Sequence, residues 1–149
     1  MTSWIEDVVR CIDAGSTGVT VGTNLFANTL PADVATVAVA AYEKPGQPRV
    51  ETYSDLRSAF ERPVVMVVSR STAPVDGASA PNPLKARNEA WKAYRALAAV
   101  VNEAASTGST RAFGAILPNE SPYLLETDDQ GRQVFAFSAT AWVAPSTSW

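Results

Sequence analysis

Hydrophobic residues recur at helical spacing in two segments of the chain. In the first, apolar positions three and four residues apart begin at Trp4 and continue to about Ala14, and Gly15 ends the pattern. The second segment predicts a long helix from Leu84 to about Ala105. Its expected buried stripe comprises Leu84, Trp91, Tyr94, Leu97, Ala98, Val101 and Ala105.

The segment between these helices predicts strands separated by long loops. Residues 19–33 predict a short edge strand and a loop, and residues 36–42 alternate as a half-buried strand does. Residues 64–68 form an unbroken apolar run, which is typical of a central strand covered on both faces. Residues 43–61 and 71–83 lack a clear period, and we expect them to be long loops.

The last third of the chain predicts β-structure. Residues 111–117 form a short strand that Pro118 ends. Residues 121–127 and 133–143 read as a hairpin, and the turn between them, Asp128–Gly131, needs a positive φ at its glycine. Residues 144–149 read as a short C-terminal tail.

Together these elements predict an α+β fold, in which a mostly antiparallel β-sheet packs against two α-helices and carries long mobile loops. The length of 149 residues, with 46% hydrophobic and 18% charged residues, fits a single compact domain over residues 1–149. No segment reaches the roughly 20 apolar residues that cross a bilayer, so we expect no membrane partner.

Composition excludes several kinds of chemistry. The chain has no histidine, which excludes histidine triads and histidine metal sites. Its one cysteine, Cys11, can form neither an internal disulfide nor a thiolate zinc cage, and we expect it in the core. With 12 basic and 15 acidic residues the chain has no basic excess for general nucleic-acid binding. Arginines such as Arg70 and Arg132 are expected at the surface, solvated or paired.

The acidic residues offer only weak candidate sites. Asp128 and Asp129 beside Gly131 resemble part of a calcium loop, but the spaced ligands are missing and a hairpin turn is favoured. Glu120 and Glu126 could flank a substrate, although their spacing alone does not favour that reading. We therefore predict no catalytic, cofactor-binding or metal-binding residues, and a role in binding or assembly.

Several segments, taken in order, resemble a known protein family. They are Gly22–Phe26, Glu61–Arg70, the helix at Ala86–Leu97, Ser121–Leu125 and Asp128–Ser138. Over about residues 4–143 the chain resembles the tail terminator proteins of long-tailed bacteriophages, also called minor capsid or tail-completion proteins. The resemblance implies an α+β fold, no catalytic site, and loops that become ordered on assembly.

The resemblance also implies a role in the virion. Such proteins form a ring, usually of six copies, that caps the head-proximal end of the tail tube and stops its growth. The expected partners are further copies of the chain, the tail tube protein and the head-completion or connector protein, while DNA only passes through the lumen. The protein would be in the host cytoplasm during assembly and in the phage tail afterwards. The alternatives are another head–tail neck protein and, less favoured, a small carboxylate-using enzyme or ligand-binding domain.

In such a ring one face of a subunit meets a different face of the next. We expect the helix at 84–105 and the hairpin at 121–143 to lie near these contacts. Two features suggest it: a smooth strip on the helix and an apolar cluster on the hairpin, comprising Ala93, Ala96, Val100, Tyr123, Leu124 and Leu125. If this is right, Ala96→Glu weakens the ring and leaves the subunit folded. High helix propensity is the alternative reason for the alanines.

Overall fold

A computed structural model describes residues 4–15, 18–34, 36–52, 55–72, 83–103 and 113–143. The helices are α1 (Trp4–Gly15) and α2 (Pro83–Ala98). The strands are β1 (Leu25–Ala27), β2 (Ala38–Thr52), β3 (Asp55–Arg70), β4 (Val101–Glu103), β5 (Phe113–Pro118), β6 (Tyr123–Thr127) and β7 (Gln133–Val143).

The described strands form one sheet of seven, in the order β1-β2-β3-β7-β5-β4, with β6 also paired to β7. β1 runs parallel to β2, and the other pairs are antiparallel. One edge of β7 pairs with β3, while its other edge pairs first with β6 and then with β5. The α+β prediction with a mostly antiparallel sheet and two helices is therefore confirmed.

Both faces of the sheet are covered, because strand alternation sends apolar side chains to each side. Val65 and Val67 of β3 and Phe137 of β7 join the main core, where both helices pack. Val68 and Ala136 point to the opposite face and form a smaller cluster, partly covered by Leu30. The prediction that residues 64–68 form a central strand covered on both faces is confirmed.

The two helices approach each other closely at the end of α1. A Cβ atom added to Gly15 would lie 2.6 Å from the Cβ atom of Ala96, so the space between the helices is already filled. Ile5, Val8 and Ile12 of α1 are fully buried in the main core. Cys11 is also buried there, which confirms its expected place as a small core residue.

The second helix is shorter than predicted and ends at Ala98, not near Ala105. Val101 pairs with Ala115 of β5, and the backbone N–H of Ile116 donates to the carbonyl of Val100 at 3.2 Å. Sheet pairing therefore competes successfully with helix continuation where two β-branched valines follow each other. Ala105 lies outside the described residues.

The buried face of α2 also differs from the prediction. Leu84 is 59% exposed and Ala98 is exposed, although both belonged to the expected buried stripe. Leu97 of the same stripe is fully buried as predicted, and an alanine strip is buried as well, comprising Ala86, Ala90, Ala93 and Ala96. Small side chains let the helix axis lie close to the sheet and to α1, so the alanines face inward for a packing reason.

In the segment 43–61, expected to be a loop, residues 43–52 and 55–61 form the far halves of β2 and β3. Their antiparallel register runs from Ala38 opposite Arg70 to Thr52 opposite Asp55, with irregularities after Lys44. The prolines and these register shifts obscure the alternation that would have revealed the strands. The loop predicted at 71–83 lies mostly outside the described residues, as does the tail at 144–149.

Candidate assembly surfaces

Strand β6 is an exposed edge of the sheet. All five of its residues are exposed, and among the described residues it pairs with β7 alone. Three consecutive residues are large and apolar: Tyr123, Leu124 and Leu125 are 43%, 51% and 43% exposed. Edge strands with free N–H and C=O groups and apolar side chains are templates for association, and proteins normally cover or charge them.

A bulge interrupts β6 in the middle. Leu124 lies opposite Phe135 and Glu126 lies opposite Val134, so Leu125 is an extra residue in β6. Bulges bend and twist a strand and limit regular pairing beyond them. Leu124 shares the helix-covered face with Phe135, and Tyr123 shares the opposite face with Ala136, so apolar groups project on both sides.

The opposite edge of the sheet, at β1, is closed by its own turn. The N–H of Leu25 donates to the carbonyl of Thr20 at 3.1 Å, and the carbonyl of Leu25 accepts from Gly22 at 3.0 Å. The Asn24 side chain accepts from the N–H of Thr20 at 2.7 Å. The two edges therefore differ: among the described residues no strand pairs with the outer edge of β6, whereas the outward groups of Leu25 are satisfied.

The turn between β6 and β7 is held by one carboxylate. Asp128 accepts hydrogen bonds from the N–H groups of Gln130 and Arg132 at 3.0 and 2.8 Å, and from Nε of Arg132 at 2.7 Å. Burial alone would raise the pKa of Asp128, but the hydrogen bonds and charge of Arg132 outweigh it and lower that pKa. Gly131 has the expected positive φ of 76°. This arrangement is a hairpin turn, with its carboxylate already engaged.

Arg70 and Arg132 are buried, each with only 5% exposure, which corrects the expectation that they lie at the surface. Arg70 donates from Nη2 to the carbonyl of Pro31, and Arg132 donates from Nη1 to the carbonyl of Ala32 at 2.9 Å. Burial, followed by the nearby charge of Arg132, lowers the pKa of Arg70. The two guanidinium groups fasten the segment around Pro31 to the sheet.

A polar groove of about 450 Å³ runs beside α2, at the end of the sheet where β2 begins. The residues that line it are Gly18, Asn24, Thr36, Val37, Thr72, Lys85, Asn88, Glu89 and Lys92. Lys92 is paired with Glu89 at 2.9 Å, while Lys85 and Asn88 are exposed. Helix α2 as a whole has four basic residues and one acidic residue, so the helix beside this groove is basic.

A second, mostly apolar groove of about 340 Å³ lies between α1 and β1. Its lining residues are Glu6, Val9, Arg10, Val21, Gly22, Leu25, Phe26, Ala27 and Thr29. Val21 is 46% exposed at its rim. The polar and apolar grooves lie on either side of the turn that closes β1.

In the part of the chain that the structure describes, no three acidic or cysteine side chains cluster as metal ligands would. Neither described helix is long and apolar enough to cross a bilayer.

Comparison with known families identifies the protein's class. A family model described as "Bacteriophage tail terminator protein" matches residues 13–144. The chain belongs to the bacteriophage tail terminator family. This tail terminator also resembles a chain from a solved structure titled "Virion of native gene transfer agent (GTA) particle", with a TM-score of 0.51 and 17% identity. The match covers 89% of this chain and 84% of that chain, so the two share a fold.

No curated protein sequence matches the chain significantly. The family match confirms the resemblance seen in the sequence and makes this chain a structural protein of a phage tail.

The structure separates the two groups of predicted interface residues. Tyr123, Leu124 and Leu125 are exposed on β6, where a neighbouring molecule can reach them. Ala93, Ala96 and Val100 are 1%, 8% and 4% exposed, because they pack inside their own subunit. This strip, at the end of α2 and just after it, is therefore packed inside the subunit, and the expected contact of these three residues with a neighbouring copy stays a prediction.

The paired carboxylates do not form a site. Glu120 accepts from the N–H and Oγ of Ser138 at 2.6 and 2.9 Å, whereas Glu126 lies opposite Val134. Four residues of β7 separate these two positions, a distance of about 13 Å. Each glutamate thus belongs to a different part of the hairpin.

The sequence reasoning missed the two grooves and the contrast of charge between α2 and the hairpin. Residues 119–131 contain the acidic residues Glu120, Glu126, Asp128 and Asp129 and no basic residue. The contrast in charge between this hairpin and the basic helix can be seen in the sequence. The grooves cannot, because they form only when the helices and strands pack together.

Proposed function

We propose that this tail terminator forms a ring of six copies at the head-proximal end of the tail tube, stops tube polymerisation, and joins the tail to the head connector. The observation that carries the proposal is an open apolar edge strand, β6, in a chain of the tail terminator family. Covering Tyr123, Leu124 and Leu125 removes apolar surface from water and satisfies an exposed strand edge.

A ring is favoured because the surfaces available for contact are unlike. The outward backbone groups of Leu25 in β1 are already bonded, so β6 of one copy cannot add to β1 of another as a regular strand. A contact between different surfaces is heterologous, and heterologous contacts close into rings when the rotation allows it. The competing arrangement, two copies paired through β6 about a two-fold axis, would give a dimer.

The two faces of the ring would meet different neighbours. One face would bind the end of the tail tube, and the other would bind the head-completion or connector protein. DNA would cross the lumen without being bound, consistent with a net charge of −3 for the chain. The protein would be in the host cytoplasm until the tail is finished.

Solution mass and electron microscopy test this proposal together. We expect the purified chain, alone or mixed with tail tubes of the same virus, to give six-copy rings, with one ring at one end of each tube. Adding the chain to growing tubes should fix their length, whereas tubes without it should continue to grow. A chain that remains a dimer and never binds tube ends contradicts the proposal. Rings that bind only the head connector favour the neck-protein alternative.

A further inference from the structure

Some charges on the acidic hairpin and on the basic helix have no ion-pair partner among the described residues. Glu126 and Asp129 are exposed, and neither has an ion-pair partner among the described residues. Lys85 and Arg87 of α2 are exposed in the same way, within the same described ranges. Opposite charges on separate surfaces favour the approach of a second copy in one orientation.

The backbone register places Glu126 level with the start of β2, which borders the polar groove. One register row crosses the sheet through Glu126, Val134, Arg70 and Ala38. Ala38 directly follows Val37, which lines the polar groove. Glu126 and the polar groove are therefore level with each other along the strands at opposite edges of the same subunit, with Glu126 on the face of Val134 and the groove on the helix-covered face.

The apolar residues of β6 are likewise level with a groove at the opposite edge of the sheet. A second register row passes through Leu124, Phe135, Ser69, Val39 and Leu25. Leu25 lines the apolar groove between α1 and β1. The order along β6, apolar and then acidic, thus matches the order of the apolar and polar grooves along the opposite side.

The hairpin cannot fill the grooves of its own subunit. Four strand spacings, about 19 Å, separate β6 from β1. A neighbouring copy that keeps the same height along the strands can bring its hairpin to both grooves. A contact with no shift along the ring axis does not climb into a helix, and it closes into a ring when its rotation divides a full turn.

We propose that the β6–β7 hairpin of one copy docks against the β1 side of the next copy, with Glu126 and Asp129 in the polar groove beside Lys85 and Leu124 against the apolar groove beside Val21. This inference rests on the proposed ring and names the surfaces that form it. Side chains form this contact, and strand pairing does not, since the outward backbone groups of Leu25 are already bonded.

Reversing the charge on each surface tests the docking. The hairpin variant is Glu126→Lys with Asp129→Lys, and the groove variant is Lys85→Glu with Asn88→Asp, which leaves the Lys92–Glu89 pair intact. Each variant alone places like charges against each other in every contact. We expect each to need at least about tenfold more protein for half-maximal ring formation, measured by sedimentation.

Mixing the two variants in equal amounts should restore rings in which they alternate. In that mixture the basic hairpin meets the acidic groove, and the native acidic hairpin meets the native groove. The matched control for the hairpin variant is Asp13→Lys with Glu43→Lys, which makes the same change of charge at exposed positions outside both grooves and should assemble normally. Higher salt should weaken the native contact and lessen the defect of each variant.

The outcomes separate this inference from the proposed function. Native rings with either variant assembling like the native chain would overturn the docking and leave the ring intact. Failure of both variants without recovery on mixing would also overturn it, because complementary surfaces must recover. A native chain that never assembles, alone or on tail tubes, contradicts the proposed function. It contradicts the docking as well, because the docking rests on the ring.

Discussion

Arg70 and Arg132 lie beside each other under the segment around Pro31 although both carry a positive charge. Each guanidinium donates to a backbone carbonyl of that segment, and Asp128 lies against Arg132 and partly offsets the repulsion. Buried charges persist when hydrogen bonds and a counter-charge compensate their loss of water. The pair therefore anchors a loop to the sheet and takes no part in binding outside the subunit.

The Asp128 carboxylate should make the stability of the hairpin depend on pH. Because folding lowers its pKa, Asp128 stabilises the fold above its unfolded pKa of about 4, and this contribution is lost as the pH falls through the lower folded value. We expect Asp128→Asn to reduce the free energy of unfolding at pH 7 by about 1–2 kcal/mol. Chemical denaturation at several pH values measures the difference, which should shrink below about pH 4.

The neighbouring carboxylate supplies the control for that experiment. Asp129 is exposed and forms no ion pair within the described residues, so Asp129→Asn should change the stability of the free subunit by less than about 0.5 kcal/mol. An Asp128→Asn variant as stable as Asp129→Asn at pH 7 would contradict the role given to the Arg132 pair.

Among the elements, α2 shows that the size of the side chains alone does not predict which face of a helix is buried. Its large residues suggested the buried stripe, yet Leu84 is exposed, and the alanines are packed beside Leu97 against the sheet and α1. Tyr94 instead packs edge-on against Phe137 from the flank, with ring centroids 5.6 Å apart. A helix lying close to a sheet needs small side chains at the closest approach, and a single sequence does not reveal how close that approach is.

The corrected orientation reverses the expectation for Ala96→Glu. Because Ala96 meets the Gly15 end of α1 inside the core, the new carboxylate would be buried without a partner. We expect a loss of more than about 2 kcal/mol in the free energy of unfolding, measured by thermal or chemical denaturation of the subunit.

Ala98→Glu is the matched control, since Ala98 lies on the exposed side of the same helix turn. It should leave the stability of the subunit within about 0.5 kcal/mol of the native value. An Ala96→Glu subunit that unfolds like the Ala98→Glu subunit would place the alanine strip at the surface after all.

For the whole molecule, the exposed leucine at the centre of β6 should matter for assembly and not for folding. We expect Leu124→Lys to abolish rings at concentrations where the native chain assembles, while the melting temperature of the free subunit stays the same. Ring formation should be lost because the lysine ammonium would have to be desolvated in the apolar contact. Sedimentation and thermal denaturation of one preparation give both readings.

Leu117→Lys supplies the comparison, because Leu117 is 52% exposed, as Leu124 is, but lies on β5. Rings from Leu117→Lys and none from Leu124→Lys would support contact through β6. Equal behaviour of the two variants would remove β6 from the interface.

Local patterns sufficed for much of the architecture. The apolar run at 64–68, the first helix and the hairpin turn at Gly131 depend on neighbouring residues, and each was predictable. The Arg70 and Arg132 contacts join residues 39 and 100 positions apart in the chain, and no local pattern carries them. For the same reason Leu124 and its neighbours could be predicted as an apolar cluster, whereas the grooves opposite them could not.

The bonded outward backbone groups of Leu25 also limit how far other molecules can extend the β-sheet. Should two subunits join through their β6 strands, each β1 end of the combined sheet would present the bonded groups of Leu25, where a third copy could not add a regular strand. Fibril growth by strand addition at the β1 edge is therefore disfavoured before virion assembly.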